Sequence, residues 1–297
     1  MGKYIYTRPS KDLIKGNFNQ ATLDHRFWQS PSSVALGYNE DENILLELTS
    51  APHTLIAGCS GSGKSVLMHS IITSLLLKNT PNTARLILID PKRIEFSFYK
   101  NHPMLLTPVI NEPQEARQTL DKVLDIIKDR QITMENNQER FWNGYKIYIF
   151  IDELGDLILS EGGRKVEKTL ARIAMVGRAC GVHLIMATQH PKADILTPQI
   201  KNNCDTRIAL KTVSSSASKV VLEMEVGDML ETVGIKGSNK LNGKGDAIIR
   251  TSYGDIKRFQ GYYLSDDEIK AISQGYYVTN TVEQTITVKP KFKFITL

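Results

Sequence analysis

The sequence predicts an α/β fold, with a mainly parallel β-sheet between layers of helices. Short apolar runs that indicate strands alternate along the chain with amphipathic stretches that indicate helices. A glycine-rich turn, Gly58–Ser65, lies between one of these strands and the helix after it. Later apolar runs end in carboxylates, at Asp90 and at Asp152-Glu153. Uninterrupted apolar runs of this kind are typical of parallel strands that are covered on both faces.

Composition sets broad limits on the function. The 297 residues suffice for one large α/β domain with decorations or for two small domains. A net charge of +5 and a pI near 8.9 permit a nucleic-acid partner without requiring one. Cys59, Cys180 and Cys204 are too widely spaced for a disulfide framework or a zinc site, which favours a reducing cytoplasm. No apolar run reaches the roughly 18 residues of a membrane span, and the N-terminus has no signal-peptide pattern.

Three segments are expected along the chain. Residues 1–33 form an N-terminal extension packed on the main domain, and residues 34–265 form that domain. It opens with a hairpin, Val34–Leu48, that leads to the first core strand, Thr54–Ala57. Further strands are predicted at Arg85–Asp90, Lys146–Ile151, His183–Thr188 and Arg207–Leu210, with edge strands at Ala247–Arg250 and Phe259–Leu264, and helices at Val66–Leu77, Pro113–Arg140 and Arg164–Arg178.

The third segment, residues 266–297, is a tail that begins with a short helix. It ends in an alternating basic stretch, Thr285–Leu297. This stretch fits an edge strand with solvated lysines, a partner-binding arm or a nucleic-acid contact.

The glycine-rich turn fits the phosphate-loop pattern G-x-x-x-x-G-K-[ST]. Its glycines allow backbone N–H groups to surround phosphates, and the following helix adds the positive end of its dipole. Lys64 is expected to reach the β- and γ-phosphates of ATP, and the Ser65 hydroxyl to bind Mg²⁺. The nucleotide-binding residues predicted in this way are Gly58, Cys59, Ser60, Gly61, Ser62, Gly63, Lys64, Ser65 and Val66.

Two later strand ends supply candidate catalytic groups. The run Lys146–Ile151 followed by Asp152-Glu153 has the form of a Walker B segment. Asp152 is expected to hold Mg²⁺ through water, and Glu153 to polarise the attacking water as a general base. Gln189 ends the next strand, where an amide can contact both the γ-phosphate and this water; the alternative is a plain surface amide.

An ordered set of stretches resembles the FtsK/SpoIIIE branch of the FtsK–HerA superfamily of ring-shaped translocases, whose motors have a RecA-like P-loop NTPase core. The resemblance covers roughly residues 34–270. The matching stretches are Pro52–Gly58, Ile89–Lys92 with Glu95, Phe150–Leu157, Gly177–Leu184, Ala187–Gln189, Ile200–Asn203, Thr206–Ala209, Gly243–Asp246 and Gly261–Ile269.

The resemblance implies an ATP-hydrolysing motor that moves double-stranded DNA through a homohexamer. Arg178 matches the arginine finger that enters the neighbouring subunit's site, and Arg207 is the second choice; the alternative for Arg178 is a helix-capping role. Lys192 and Lys201 match a pore loop, residues 191–203, that contacts DNA phosphates; the alternative is solvated lysines. His190 stands where the family usually has Arg, which predicts weaker or pH-dependent grip.

Two departures from the larger relatives suggest a compact version, like those of plasmids, phages and integrative conjugative elements. The sequence has no membrane-spanning segment and no winged-helix domain after the motor. Transfer, packaging, segregation and replication of DNA then all remain open as the process, with membrane or DNA-processing proteins of a mobile element as candidate partners. A secretion ATPase of the type VII kind, acting on proteins, and a nucleotide-binding replication adaptor are the alternatives.

Overall fold

The computed structural model describes residues 18–224 and 226–275. Its strands are β1 (Ser33–Tyr38), β2 (Asn43–Glu47), β3 (His53–Ala57), β4 (Ala84–Ile89), β5 (Lys146–Ile151), β6 (Val182–Thr188), β7 (Thr206–Leu210), β8 (Asp246–Arg250) and β9 (Ile256–Gly261). Its helices are α1 (Phe18–Leu23), α2 (His25–Trp28), α3 (Lys64–Lys78), α4 (Pro113–Asn136), α5 (Leu154–Ile158), α6 (Gly163–Val176), α7 (Pro198–Lys201), α8 (Ser215–Leu222), α9 (Val226–Val233) and α10 (Asp266–Ser273). The α/β prediction is confirmed, and the predicted elements between residues 34 and 264 are present with ends that differ by a few residues.

The nine strands of the described residues form one sheet in the order β2-β1-β9-β8-β7-β3-β6-β5-β4. The strands from β7 to β4 run parallel, whereas the pairs β7-β8, β8-β9, β9-β1 and β1-β2 are antiparallel. The prediction that β8 and β9 are edge strands is therefore wrong. The half-exposed side chains of β9 resemble those of an edge strand, but the hairpin β1–β2 pairs with it and extends the sheet.

Helices cover both faces of the sheet and create two buried clusters. On one face α3 packs against β1 and is covered by α10, while α1 and α2 pack on β1. On the other face α4 and α6 pack together, and α8 packs on β7. Side chains alternate between the clusters, with Ile56 in the first and Leu55 and Ala57 in the second. Because both faces are covered, β3 and β6 are buried along their whole length, which explains their unbroken apolar sequences.

The described part of the N-terminal extension packs on the main domain, as predicted. The ring of Phe27 is buried, and Lys78 Nζ lies 4.0 Å from its centroid. Lys78 also donates hydrogen bonds to the carbonyl oxygens of Phe27, Ser30 and Ser33. A buried ammonium group thus ties the segment before β1 to the end of α3.

The described start of the C-terminal tail is the helix α10, as predicted. A capping box between Ser265 and Glu268 begins it. The prediction for the basic stretch Thr285–Leu297 lies outside the described residues. No helix in the described part of the chain is long and apolar enough to cross a membrane.

Candidate nucleotide-binding and catalytic site

The phosphate loop lies between the carboxyl end of β3 and the first turn of α3. Hydrogen bonds anchor its start, because the N–H of Gly58 donates to Thr188 O (3.2 Å) and the N–H of Cys59 to Lys211 O (2.8 Å). Gly63 has a φ of +98°, and a Cβ built there would lie 2.6 Å from the backbone nitrogen of Gly245. Only glycine fits this position without displacing backbone. Neighbouring backbone therefore fixes the loop in one conformation, in which its N–H groups can be directed at phosphates.

Lys64 and Asp152 meet at the base of this loop. Lys64 Nζ lies 2.7 Å from Asp152 Oδ1 and 2.6 Å from its backbone oxygen, and both side chains are buried. Burial raises the pKa of the Asp152 carboxyl, and the Lys64 ammonium partly offsets this effect. The two groups that the sequence assigns to phosphate and Mg²⁺ are thus brought into direct contact from the carboxyl ends of β3 and β5, which lie on either side of β6 in the sheet.

Glu153 is completely buried beside Asp152. Its Oε1 accepts a hydrogen bond from Thr188 Oγ1 (2.7 Å), and its Oε2 accepts one from the N–H of Gln189 (3.0 Å). Lys92 Nζ lies 3.4 Å from Oε2. The carboxylate is therefore fixed between β5 and the end of β6, where it contacts the backbone N–H of Gln189; the predicted role of the Gln189 side chain stays a prediction.

Glu95 belongs to this site, although sequence analysis gave it no role. Ser65 Oγ donates a hydrogen bond to Glu95 Oε1 (2.7 Å), and His69 Nε2 lies 3.6 Å from Oε2. The other ring nitrogen of His69 is 2.8 Å from the Tyr99 hydroxyl. The contact with His69 lowers the pKa of the Glu95 carboxyl. The sequence signal for Glu95 was weak. Glu95 follows the strand that ends at Asp90, and only the family resemblance gives significance to that spacing.

A cleft of about 520 Å³ opens from the phosphate loop. One of its walls comes from a distant part of the sequence: Lys244, Gln260 and Tyr263 line it together with Ser60 and Lys64. Sequence analysis gave Lys244, Gln260 and Tyr263 no role in nucleotide binding, because the sheet pairing of β8 and β9 that brings them to the loop was not predicted.

Arg178 lies at the opposite end of the parallel strands. It is exposed and follows α6, just before β6 begins. Strands β3 and β6 pair in parallel from His53–Leu184 to Ala57–Thr188, and the phosphate loop follows the second pair. Four residue steps of about 3.3 Å each separate the two pairs by roughly 13 Å, and Arg178 precedes the first pair. Arg178 therefore lies away from its own chain's phosphate loop.

Arg207, the second choice for the arginine finger, is held by contacts within its own chain. It is 4% exposed, and its guanidinium bonds Glu223 at 2.8 Å and the carbonyl oxygens of Cys204 and Lys201. Lys201 also pairs with Glu223, at 3.0 Å. Lys201 and Arg207 are thus joined by one carboxylate at the amino end of β7.

The connection from β6 to β7, residues 190–205, is packed onto the sheet and is not an open loop. Ile195, Leu196 and Ile200 are buried in the second cluster. His190 and Lys192 are exposed at the carboxyl end of β6, on the same sheet edge as the phosphate loop. The two lysines predicted as DNA phosphate contacts, Lys192 and Lys201, therefore lie in the first and the second half of this connection.

Among the described residues, no three His, Cys, Asp or Glu side chains lie close enough together to hold a metal ion. The predicted oxygen ligands of Mg²⁺ are Ser65 and Asp152. Mg²⁺ is commonly held by one or two protein oxygens together with substrate phosphates, and this pair of ligands fits that chemistry.

Comparisons with known proteins identify a family to which the sequence is similar. Residues 19–146 and 144–193 match the sequence model of the FtsK/SpoIIIE family. The DNA translocase FtsK of Staphylococcus epidermidis (strain ATCC 35984) is 36% identical over 273 residues, covering 84% of this chain and 33% of its own. The DNA translocase SpoIIIE of Bacillus subtilis (strain 168) is 35% identical over 260 residues, covering 80% and 32%. This chain therefore spans about a third of the length of these relatives.

Solved structures give the same fold. The pCW3 conjugation coupling protein TcpA, as a monomer with ATPγS, has a TM-score of 0.71 at 25% identity over 85% of this chain and 73% of its own. The cytoplasmic domain of the Thermomonospora curvata type VII secretion ATPase EccC has a TM-score of 0.69 at 19% identity, over 90% and 34%. The likeness to EccC concerns the fold alone, so it does not favour the secretion alternative.

Proposed function

The chain belongs to the FtsK/SpoIIIE family, and we propose that it is an ATP-driven motor that moves double-stranded DNA through a homohexameric ring. Its fold and family are those of P-loop ATPases. The observation that carries the proposal is the division of the site: Lys64, Asp152 and Glu153 converge at one end of the sheet, while the exposed Arg178 lies at the other. Such a chain completes a hydrolytic site only together with a neighbour, as a ring requires.

In this proposal the nucleotide end performs hydrolysis with fixed groups. The phosphate loop and Lys64 bind the β- and γ-phosphates, and Glu153 takes the proton of the attacking water, with Gln189 beside it. Mg²⁺, held by Ser65 and Asp152 with phosphate oxygens, would neutralise charge on the phosphates. Arg178 of one subunit would stabilise the charge that develops in the next subunit's site.

The DNA part of the proposal rests on family membership and on exposed charge. The names of the curated relatives describe DNA translocases, and TcpA is described as a conjugation coupling protein, which supports a role in mobile-element transfer. Of the two predicted phosphate contacts, Lys192 is exposed, whereas the side chain of Lys201 is 17% exposed and paired with Glu223. We therefore place Lys192 first as the DNA contact.

The test is the ATPase rate and DNA affinity across a salt series, with and without duplex DNA. We expect duplex to stimulate hydrolysis, and Lys64→Ala to abolish it. Lys192→Ala should reduce the stimulation, leave basal hydrolysis intact and flatten the salt dependence of binding by roughly one unit. His190→Arg should tighten binding by adding a permanent charge at the same edge.

Lys128→Ala is the matched control, because Lys128 is an exposed lysine on the outer face of α4. Its salt dependence and stimulation should equal those of the wild type. An absence of duplex stimulation at every salt concentration, with all variants alike, contradicts the DNA motor and favours a protein substrate.

A further inference from the structure

One wall of the nucleotide cleft is formed by a short strap, residues 243–245, that is hydrogen-bonded to the phosphate loop. The N–H of Gly245 donates to Ser62 O at 2.7 Å, and the N–H of Lys244 donates to Gly61 O at 3.4 Å. All three strap residues have left-handed backbones, with a φ of +53° at Lys244. A non-glycine residue in this conformation is uncommon and is kept only where surrounding contacts enforce it.

Strand β9 braces the strap from the other side. Gln260 Nε2 donates a hydrogen bond to Lys244 O at 2.7 Å, and the N–H of Gly261 donates to Gly245 O at 2.8 Å. The strap is thus bonded on one side to the phosphate loop and on the other to the strand that leads to Tyr263. The wall of the cleft beyond the phosphates is therefore pre-formed, which reduces the entropy lost when a ligand binds.

The two adjacent tyrosines after β9 have different environments. Tyr262 is 1% exposed, and its hydroxyl donates to Asn43 Oδ1 at 2.6 Å. Tyr263 is 58% exposed and lines the cleft. Within residues 18–224 and 226–275 its ring stacks on no other aromatic ring, and its hydroxyl makes no hydrogen bond. An aromatic ring left exposed in a ligand cleft, beside a buried neighbour that serves the core, is suited to stack on a planar ligand.

We propose that Tyr263 is the stacking platform for the base of the bound nucleoside triphosphate, with Lys244 and Gln260 bordering base and ribose. The inference rests on the proposed nucleotide site, because the phosphate loop fixes where the triphosphate lies and so which part of the cleft remains for the base. A volume of about 520 Å³ is in the range of small-ligand pockets and extends beyond the loop to Tyr263. Stacking on one aromatic face tolerates different bases, so the platform contributes affinity more than selectivity.

The experiment compares the binding of ATP and of inorganic triphosphate, which has no base, by titration calorimetry. Tyr263→Ala should raise the Kd of ATP by about tenfold to a hundredfold and leave the Kd of triphosphate unchanged. Tyr263→Phe should bind both like the wild type, because it keeps the ring. Tyr263→Leu, which fills similar space without an aromatic face, should behave like Tyr263→Ala.

Two controls separate this inference from the proposed site. Tyr253→Ala removes another exposed tyrosine, 79% exposed in the turn between β8 and β9, and should change neither affinity. Lys64→Ala should weaken both ligands; if it weakens neither, the proposed nucleotide site falls. If Lys64→Ala weakens both but Tyr263→Ala and Tyr263→Leu bind ATP like the wild type, or weaken ATP and triphosphate equally, the stacking platform alone is overturned.

Discussion

The two ends of the parallel strands hold charges in different ways. At the carboxyl end, buried charges face a cleft: Lys64 contacts Asp152, and Glu153 is fixed by Thr188 and the N–H of Gln189. At the amino end, Arg207 and Lys201 both bond the carboxylate of Glu223, and Arg178 is left exposed. The first set of charges faces the nucleotide cleft, whereas in the second set Arg207 and Lys201 are already paired within the chain and Arg178 is left exposed.

This contrast indicates which part of the chemistry needs a second subunit. Burying a paired charge is costly unless its remaining hydrogen bonds are satisfied, so a network such as that of Glu153 is formed within one chain. Moving an exposed arginine from water into a partner's site costs little free energy of desolvation, because a guanidinium group is weakly hydrated. The carboxyl end is thus expected to bind nucleotide in an isolated chain, whereas fast hydrolysis should need the amino end of a neighbour.

The largest expected effect comes from removing Arg178. Arg178→Ala should lower ATPase activity by about 10³-fold, because an arginine finger contributes at least that much, while the Kd for ATP changes little. Mixing Arg178→Ala with Lys64→Ala subunits should restore part of the activity, since sites then exist that combine an intact Lys64 with a neighbour's intact Arg178. The measurement is steady-state ATPase rate across mixing ratios.

Arg172→Ala is the matched control, because Arg172 is an exposed arginine on α6 close in sequence to Arg178. It should keep wild-type activity. Near-normal turnover by Arg178→Ala, or no rescue in mixed rings that are shown to form, would assign Arg178 to capping its own helix instead.

A smaller effect is expected from Glu153→Gln at the carboxyl end. The single amide oxygen, at the position of Oε1, can still accept hydrogen bonds from Thr188 Oγ1 (2.7 Å) and the N–H of Gln189 (3.3 Å) but cannot take a proton, so hydrolysis should fall by about 10²- to 10³-fold with ATP binding retained. Asp156→Asn, an exposed acid in the next helix, is the control and should be unaffected. Single-turnover rates and ATP affinity measure both; turnover close to normal would show that another group activates the water.

The carboxyl end could be predicted from the sequence because its parts are local patterns. The phosphate loop is one continuous stretch, and Asp152-Glu153 and Gln189 each end an apolar strand. Parallel strands bring such ends to one edge whatever the order of the strands. The positions of Lys64, Asp152 and Glu153 therefore followed from motif and strand direction alone.

The remaining features of the structure depend on contacts between segments that are distant in the sequence, and local sequence patterns do not predict such contacts. Strand β9 has half-exposed side chains like an edge strand, so its place between β8 and β1, and with it the position of Tyr263, was not predicted. The ion pair of Lys201 with Glu223 joins residues from two separate helical segments, and nothing in the sequence of either indicates the other. Long-range contacts of this kind come from tertiary packing.

The smallest expected effect concerns two histidines, His53 and His183, at the amino ends of β3 and β6. It tests whether packing shields these strand ends from water. Burial lowers the pKa of His53 to about 4, and the charge of Arg178 adds to this effect. Burial likewise lowers the pKa of His183 to about 3, and the charge of Lys146 adds to it. The ring of His183 stacks on Tyr148 with centroids 5.1 Å apart. Both histidines are therefore neutral in the folded chain near pH 7, whereas in the unfolded chain they titrate near 6.5.

Because the unfolded chain binds more protons than the folded chain below pH 6.5, the free energy of unfolding should fall as the pH decreases from 6.5 to 5. The slope should be up to about 1.4 kcal/mol per pH unit for each histidine. His183→Phe, which keeps an aromatic ring against Tyr148, should reduce this slope by about one proton, and the exposed His25→Asn should not. Asp152, whose pKa is raised, contributes with the opposite sign but equally in all three proteins. The measurement is urea unfolding at half-unit pH intervals. If the free energy of unfolding depends on pH equally in the wild type and in His183→Phe, His183 takes up its proton in the folded chain as it does in the unfolded chain, and the amino end of β6 is open to water.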